Sequence, residues 1–215
     1  MSDLSFRVVG ARAEPYAAVP TLMLRLAVAD AGGEAIQAVS LRAQVQIEPR
    51  RRHYTGVEEE RLVELFGEPH RWGDTLQTQL WTIVTINVPS FRGQTEVDLP
   101  ITCTYDFEVA SAKYFQSLDD GEIPLLLLFS GTVFARGTEG QIRVDQVPWH
   151  QEASFRLPVR VWRDVMDVYF PDSTWFRVRR ETFDAVHRFR GRHGFTGWDE
   201  TLDELLRRAG ERVLS

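Results

Sequence analysis

Val39-Ser40-Leu41-Arg42-Ala43-Gln44-Val45-Gln46-Ile47-Glu48 alternates apolar and polar side chains without a break. A period of two sends one set to each face of a β-strand, so this stretch reads as a strand with one face on a core and one in water. The pattern recurs in Val97, Leu99, Ile101, Cys103, Tyr105, Phe107 and Val109, interleaved with Glu96, Asp98, Thr102, Thr104, Asp106 and Glu108. Pro100 falls among the polar positions and brings no N–H to a ladder, which predicts an edge strand or a break there. Further strands are predicted over residues 6–11, 22–29, 80–88, 125–135 and 141–147, with turn chemistry at Asp30-Ala31-Gly32-Gly33 and Gly137-Thr138-Glu139-Gly140. Over residues 80–88 the alternation puts Trp81 on the face opposite Leu80, Thr82, Val84 and Ile86.

Two short helices interrupt the strands. Thr55 with Glu58 three residues on forms a capping box ahead of 57–66, and Gly67 sits where the helix should end. A second helix spans 110–118 and stops at Asp119-Asp120-Gly121. After Pro158 the period lengthens to that of a helix, with Val161, Val165, Val168 and Tyr169 on one face and a break near Phe170-Pro171-Asp172-Ser173. Phe183, Val186 and Phe189 then share a helix, and Trp198, Leu202, Leu205 and Leu206 another, with Thr196 as its expected N-cap. The fold class is therefore mainly β (α+β): an antiparallel β-sandwich-like body with short helical insertions over 1–158, and a C-terminal helical segment over 159–215 packed on it.

Composition narrows the function classes. Of 215 residues, 43% are hydrophobic, enough to fill a core, and the formal charge of −6 argues against a surface given over wholly to nucleic acid or anionic membrane. Cys103 stands alone, so no intramolecular disulfide and no Cys-x-x-Cys metal or cluster site can form, which fits a reducing compartment. Its place on an apolar strand face predicts a buried core thiol. With neither a signal-peptide pattern nor an apolar run long enough to cross a bilayer, the expected location is cytoplasmic, with no membrane partner. His53, His70, His150, His187 and His193 lack metal-ligand spacing, and no nucleophile elbow, dinucleotide loop or phosphate-binding loop occurs. The expectation is a protein with no catalytic residues, metal or cofactor, leaning away from an enzyme.

Two kinds of residue stand out as binding candidates. Arg50-Arg51-Arg52, followed by His53-Tyr54, ends a strand and could grip an anion or an acidic partner, with Tyr54 available for stacking; a solvated strand end is the plainer reading. Trp81 and Trp149 are candidate docking anchors among six tryptophans, since indoles concentrate at binding hot spots; the plainer reading packs them in the core.

Trp175-Phe176-Arg177-Val178-Arg179-Arg180-Glu181, followed by two helices around a glycine break, resembles a ribbon–helix–helix unit. The resemblance implies that Trp175, Arg177 and Arg179 would face DNA. Against it, Asp199 and Glu200 sit where that family offers a helix N-terminus to phosphate, so nucleic acid is disfavoured as a partner. Separately, Tyr105-Asp106-Phe107-Glu108-Val109 with Lys113-Tyr114-Phe115, and Gly121-Glu122-Ile123-Pro124-Leu125 running into Phe129-Ser130-Gly131-Thr132-Val133-Phe134, resemble a family of mostly actinobacterial hypothetical proteins. That likeness extends over most of the chain, and it implies proximity to nickel–iron hydrogenase genes and an accessory or assembly role. The leading expectation is a non-enzymatic accessory protein whose partner is another protein. A DNA-binding regulator using 174–210 and an enzyme or small-ligand carrier with a pocket between sheet and helices stay open as alternatives.

Overall fold

The computed structural model describes residues 3–104, 109–136, 141–171 and 178–211. By internal packing the chain forms two units, 1–175 and 176–215. The first is mainly antiparallel β, in two sheets. Strands β1 (Leu4–Ala13), β2 (Thr21–Asp30) and β6 (Gln94–Thr102) form one sheet in the order β1-β2-β6. Strands β3 (Ala35–Ile47), β4 (Gln79–Val88), β7 (Glu122–Arg136) and β8 (Ile142–Gln146) form the other in the order β4-β3-β7-β8, with β5 (Phe91–Arg92) beside β3 and β9 (Glu152–Pro158) beside β7. Because β7 runs for 15 residues, its free side seats β9 near its start and β8 near its end.

Alternation does set the faces. Val39, Leu41, Ala43, Val45 and Ile47 are fully buried, and so are Leu22, Leu24, Leu26 and Val28 on the facing sheet. The rings of Phe6 and Phe129 stack at 4.4 Å, joining β1 to β7. Gly131 is required where β7 crosses β3: its φ is +151°, and a Cβ there would lie 2.1 Å from the Ser40 carbonyl oxygen. Pro100 lies in β6, an edge of the smaller sheet, as its missing N–H demands. That strand ends at Thr102, so the long alternation through Val109 is not one described strand; residues 105–108 lie outside the described residues, as do 137–140 of the predicted turn.

Helices close one end of this unit. In α1 (Gly56–Phe66) both halves of the Thr55/Glu58 capping box form, and Gly67 is the C-cap. A short α2 (Trp72–Thr75) follows, and α3 (Ala110–Gln116) buries Tyr114 and Phe115. In α4 (Val159–Tyr169), Val161, Trp162 and Val165 are buried, and the helix packs on β1, β2 and β9. Val168, expected on its inner face, is instead 46% exposed. Tyr169 turns its hydroxyl to the carbonyls of Glu14 and Ala17, pinning the β1–β2 loop.

The second unit contains α5 (Arg180–His193) and α6 (Trp198–Ala209), each closed by a left-handed glycine, Gly194 and Gly210. Thr196 is not the cap of α6. Gly197 takes that position, and Glu200 reaches back to accept the Thr196 N–H.

Candidate functional site

The basic cluster lies in an open cleft of about 670 Å³ at the end of the larger sheet, lined by Arg51, Arg52, Glu58, Asp120 and Arg156 among others. Its three arginines meet different fates. Arg50 is exposed. Arg51 pairs with Glu48 at 3.0 Å. Arg52 turns inward, with only 8% of its side chain exposed, and donates to Glu58 Oε1 at 2.5 Å and to the carbonyls of Asp120 at 2.7 Å and Glu122 at 2.9 Å. The Glu58 carboxylate also accepts the backbone N–H of Asp119 and, through Oε2, that of Thr55. One buried ion pair thus ties the end of β3, the start of α1 and the turn into β7. Arg52 Nε is buried without a hydrogen-bond partner among the described residues.

Tyr54, offered by the sequence for stacking on a ligand, is engaged inside the protein. Its hydroxyl donates to the Pro49 carbonyl at 2.7 Å and lies 2.9 Å from that of Tyr114, while its ring meets Trp72 edge-on. Desolvation raises both phenols, Tyr114 to about 12. Such hydroxyls stay protonated and hold structure. Burial likewise pushes the Cys103 thiol up to about 12, which favours its protonated form in the core. Among the described residues, no group of three or more His, Cys, Asp or Glu is placed to hold a metal.

The two candidate tryptophans part company. Trp81 is half-buried, its ring packed edge-on against Phe115 at 4.8 Å. A β-bulge opposite Val45 and Gln46 turns it inward and leaves Leu80 55% exposed, reversing the faces that simple alternation assigns to these two residues. Trp149, in the turn between β8 and β9, is 92% exposed and meets the ring of His150 edge-on.

Just before it, Ile142 and Val144 of β8 are 68% and 57% exposed. Among the described residues this strand pairs with β7 alone, and none of them pairs with its other side. Val147 donates its N–H to Gly131, and the antiparallel alternation therefore turns the N–H groups of Val144 and Gln146 away from β7. The open edge thus offers hydrogen-bonding groups and apolar side chains side by side.

In the second unit, Arg179 is exposed at the start of α5, whereas Trp175 and Arg177 lie outside the described residues. No residue of α5 is buried, and Thr201 alone is buried in α6. Phe183, His187 and Trp198 form a ring cluster with centroids 5.1–6.0 Å apart.

A family model described as a family of unknown function, DUF6084, matches residues 1–214. The chain belongs to the DUF6084 family. No curated protein matches it. Among solved structures, the chain is similar to the CARDB domain of the PF1109 protein from Pyrococcus furiosus, solved in complex with di-metal ions. That match has 11% identity and a TM-score of 0.27, over 73% of this chain and 91% of that one. A β-glucosidase from Kluyveromyces marxianus matches at 7% identity and a TM-score of 0.26, over 72% of this chain but only 15% of the enzyme. The ApaA protein from Bordetella pertussis matches at 12% identity and a TM-score of 0.24, over 73% and 93% of the two chains. Among the described residues of this family member, no helix is long and apolar enough to cross a membrane.

The β8 edge was not singled out by sequence, although the alternation of Ile142, Val144 and Gln146 with Arg143 and Asp145 is visible there. Alternation marks a strand but does not say which face is covered or which edge is open.

Proposed function

We propose that this DUF6084 chain is a non-enzymatic accessory protein that docks a partner protein by strand addition along the open edge of β8, with Trp149 as the adjoining anchor. The observation that supports it is the unpaired edge itself, where Ile142, Val144 and Trp149 are all exposed within eight residues. Native sheets usually cover or charge such an edge, because it templates pairing with another chain. In strand addition the main chain supplies affinity, alternate side chains supply selectivity, and an exposed indole is a suitable hot spot. The family resemblance adds a partner class, a nickel–iron hydrogenase or similar metalloenzyme under assembly in the cytoplasm.

Val144→Pro removes an N–H that faces away from β7, and Trp149→Ala removes the anchor, so neither touches the ladder that holds β8. Affinity purification from the native host with the wild type and both variants tests the reading. A reproducible set of proteins should co-purify with the wild type and fall roughly tenfold or more with each variant, as loss of a hot spot does, at unchanged melting temperature. Equal recovery with all three chains would overturn it. Steeply salt-dependent binding to promoter DNA, lost in Arg179→Ala, would replace it with the regulator reading.

A further inference from the structure

We infer that residues 178–211 pair with the same segment of a second copy, so that α5 of each chain faces α6 of the other. The first ground is burial. Two helices of 14 and 12 residues that bury only Thr201 lack the core that a unit this small needs to stand alone. Phe183, Trp198 and Leu206 remain 44%, 36% and 42% exposed.

The second ground is charge. Four arginines against two carboxylates make α5 net basic, and four carboxylates against two arginines make α6 net acidic. Opposite charges on neighbouring helices would ordinarily be spent on each other. Yet no arginine of α5 forms an ion pair with a carboxylate of α6, and Glu204 is taken by Arg207 and Arg208 of its own helix. Asp199, Asp203 and Leu206 follow one another at helical spacing beside the open apolar edge of α6, as Arg180, Phe183 and His187 do on α5.

A two-fold axis decides the occupant. It brings each patch against its counterpart, so a surface with one basic and one acidic helix is complementary to itself. A surface evolved for a strongly charged foreign partner would carry one sign. The exposed apolar residues then close against each other while the arginines of α5 meet Asp199 and Asp203 of the second copy.

Sedimentation analysis of the full chain tests this independently of the β8 edge. The wild type should shift from monomer to dimer as its concentration rises to about 0.1 mM, where an interface of roughly micromolar affinity is saturated, and the dimer should weaken at high salt. Arg180→Glu with Arg188→Glu, and separately Asp199→Arg with Asp203→Arg, should each weaken the dimer roughly tenfold or more, because attractive pairs become repulsive. Mixing the two variants should restore it, since acidic α5 then meets basic α6 and the reverse, and that recovery cannot come from misfolded chains. A wild type that stays monomeric, variants that dimerise like the wild type, or a mixture that stays monomeric would each overturn the inference. Val144→Pro and Trp149→Ala should leave the dimer unchanged.

Discussion

Arg50, Arg51 and Arg52 are consecutive in the chain and occupy three environments: open solvent, an exposed position paired with the largely covered Glu48, and a buried joint with Glu58. Taking the last pair out of water is expensive, and the attraction between the charges offsets that cost only because both groups are also hydrogen-bonded to backbone. Arg52 binds two carbonyls of the turn into β7, and Glu58 holds two backbone N–H groups. Removing one partner strands the other charge. Arg52→Ala and Glu58→Ala should therefore each lower stability by about 3–5 kcal/mol in urea unfolding, whereas Arg52→Met with Glu58→Leu should cost much less than the two losses added. If either single variant unfolds like the wild type, the pair is not the joint described.

At the scale of elements, the bulge in β4 shows where a two-residue period stops being a guide. Trp81 packs on Phe115, whose ring also lies 5.7 Å from Trp162 of α4, so the indole belongs to the helical end of the core. Trp81→Ala should cost roughly 2–4 kcal/mol, somewhat less than a fully buried Trp, while Leu80→Ser should stay within about 0.5 kcal/mol. Equal losses at both positions would refute the assignment of faces. Sequence could not find this bulge, because it exists only in the pairing with Val45 and Gln46 of β3. The faces of β3 and the edge position of Pro100 were legible, since burial and a missing N–H act on the residue itself. Strand β9 passed unread, although Ala153 and Leu157 alternate with exposed residues, and so did the short α2. Of the candidate site, the place of Trp149 just past the strand predicted over 141–147 was legible. The fate of Arg52 was not, because two of its three acceptors, the carbonyls of Asp120 and Glu122, lie 68 and 70 residues away along the chain.

At the scale of the whole molecule, the strand-rich first unit and the helical second unit leave different surfaces uncovered. In the first it is an edge, where β8 is the last strand beyond β7. In the second it is the side of a hairpin too small to bury its own aromatic residues. The proposed docking uses the first surface and the proposed self-association the second, with no residue in common. The docking claim is tested most directly by hydrogen exchange at single amides, in the free chain and in its partner complex. In the free chain Val144 and Gln146 should exchange quickly while Asp145 and Val147, turned toward β7, are protected, and in the complex Val144 and Gln146 should become protected as well. Exchange at Val144 and Gln146 as fast in the complex as in the free chain would contradict it.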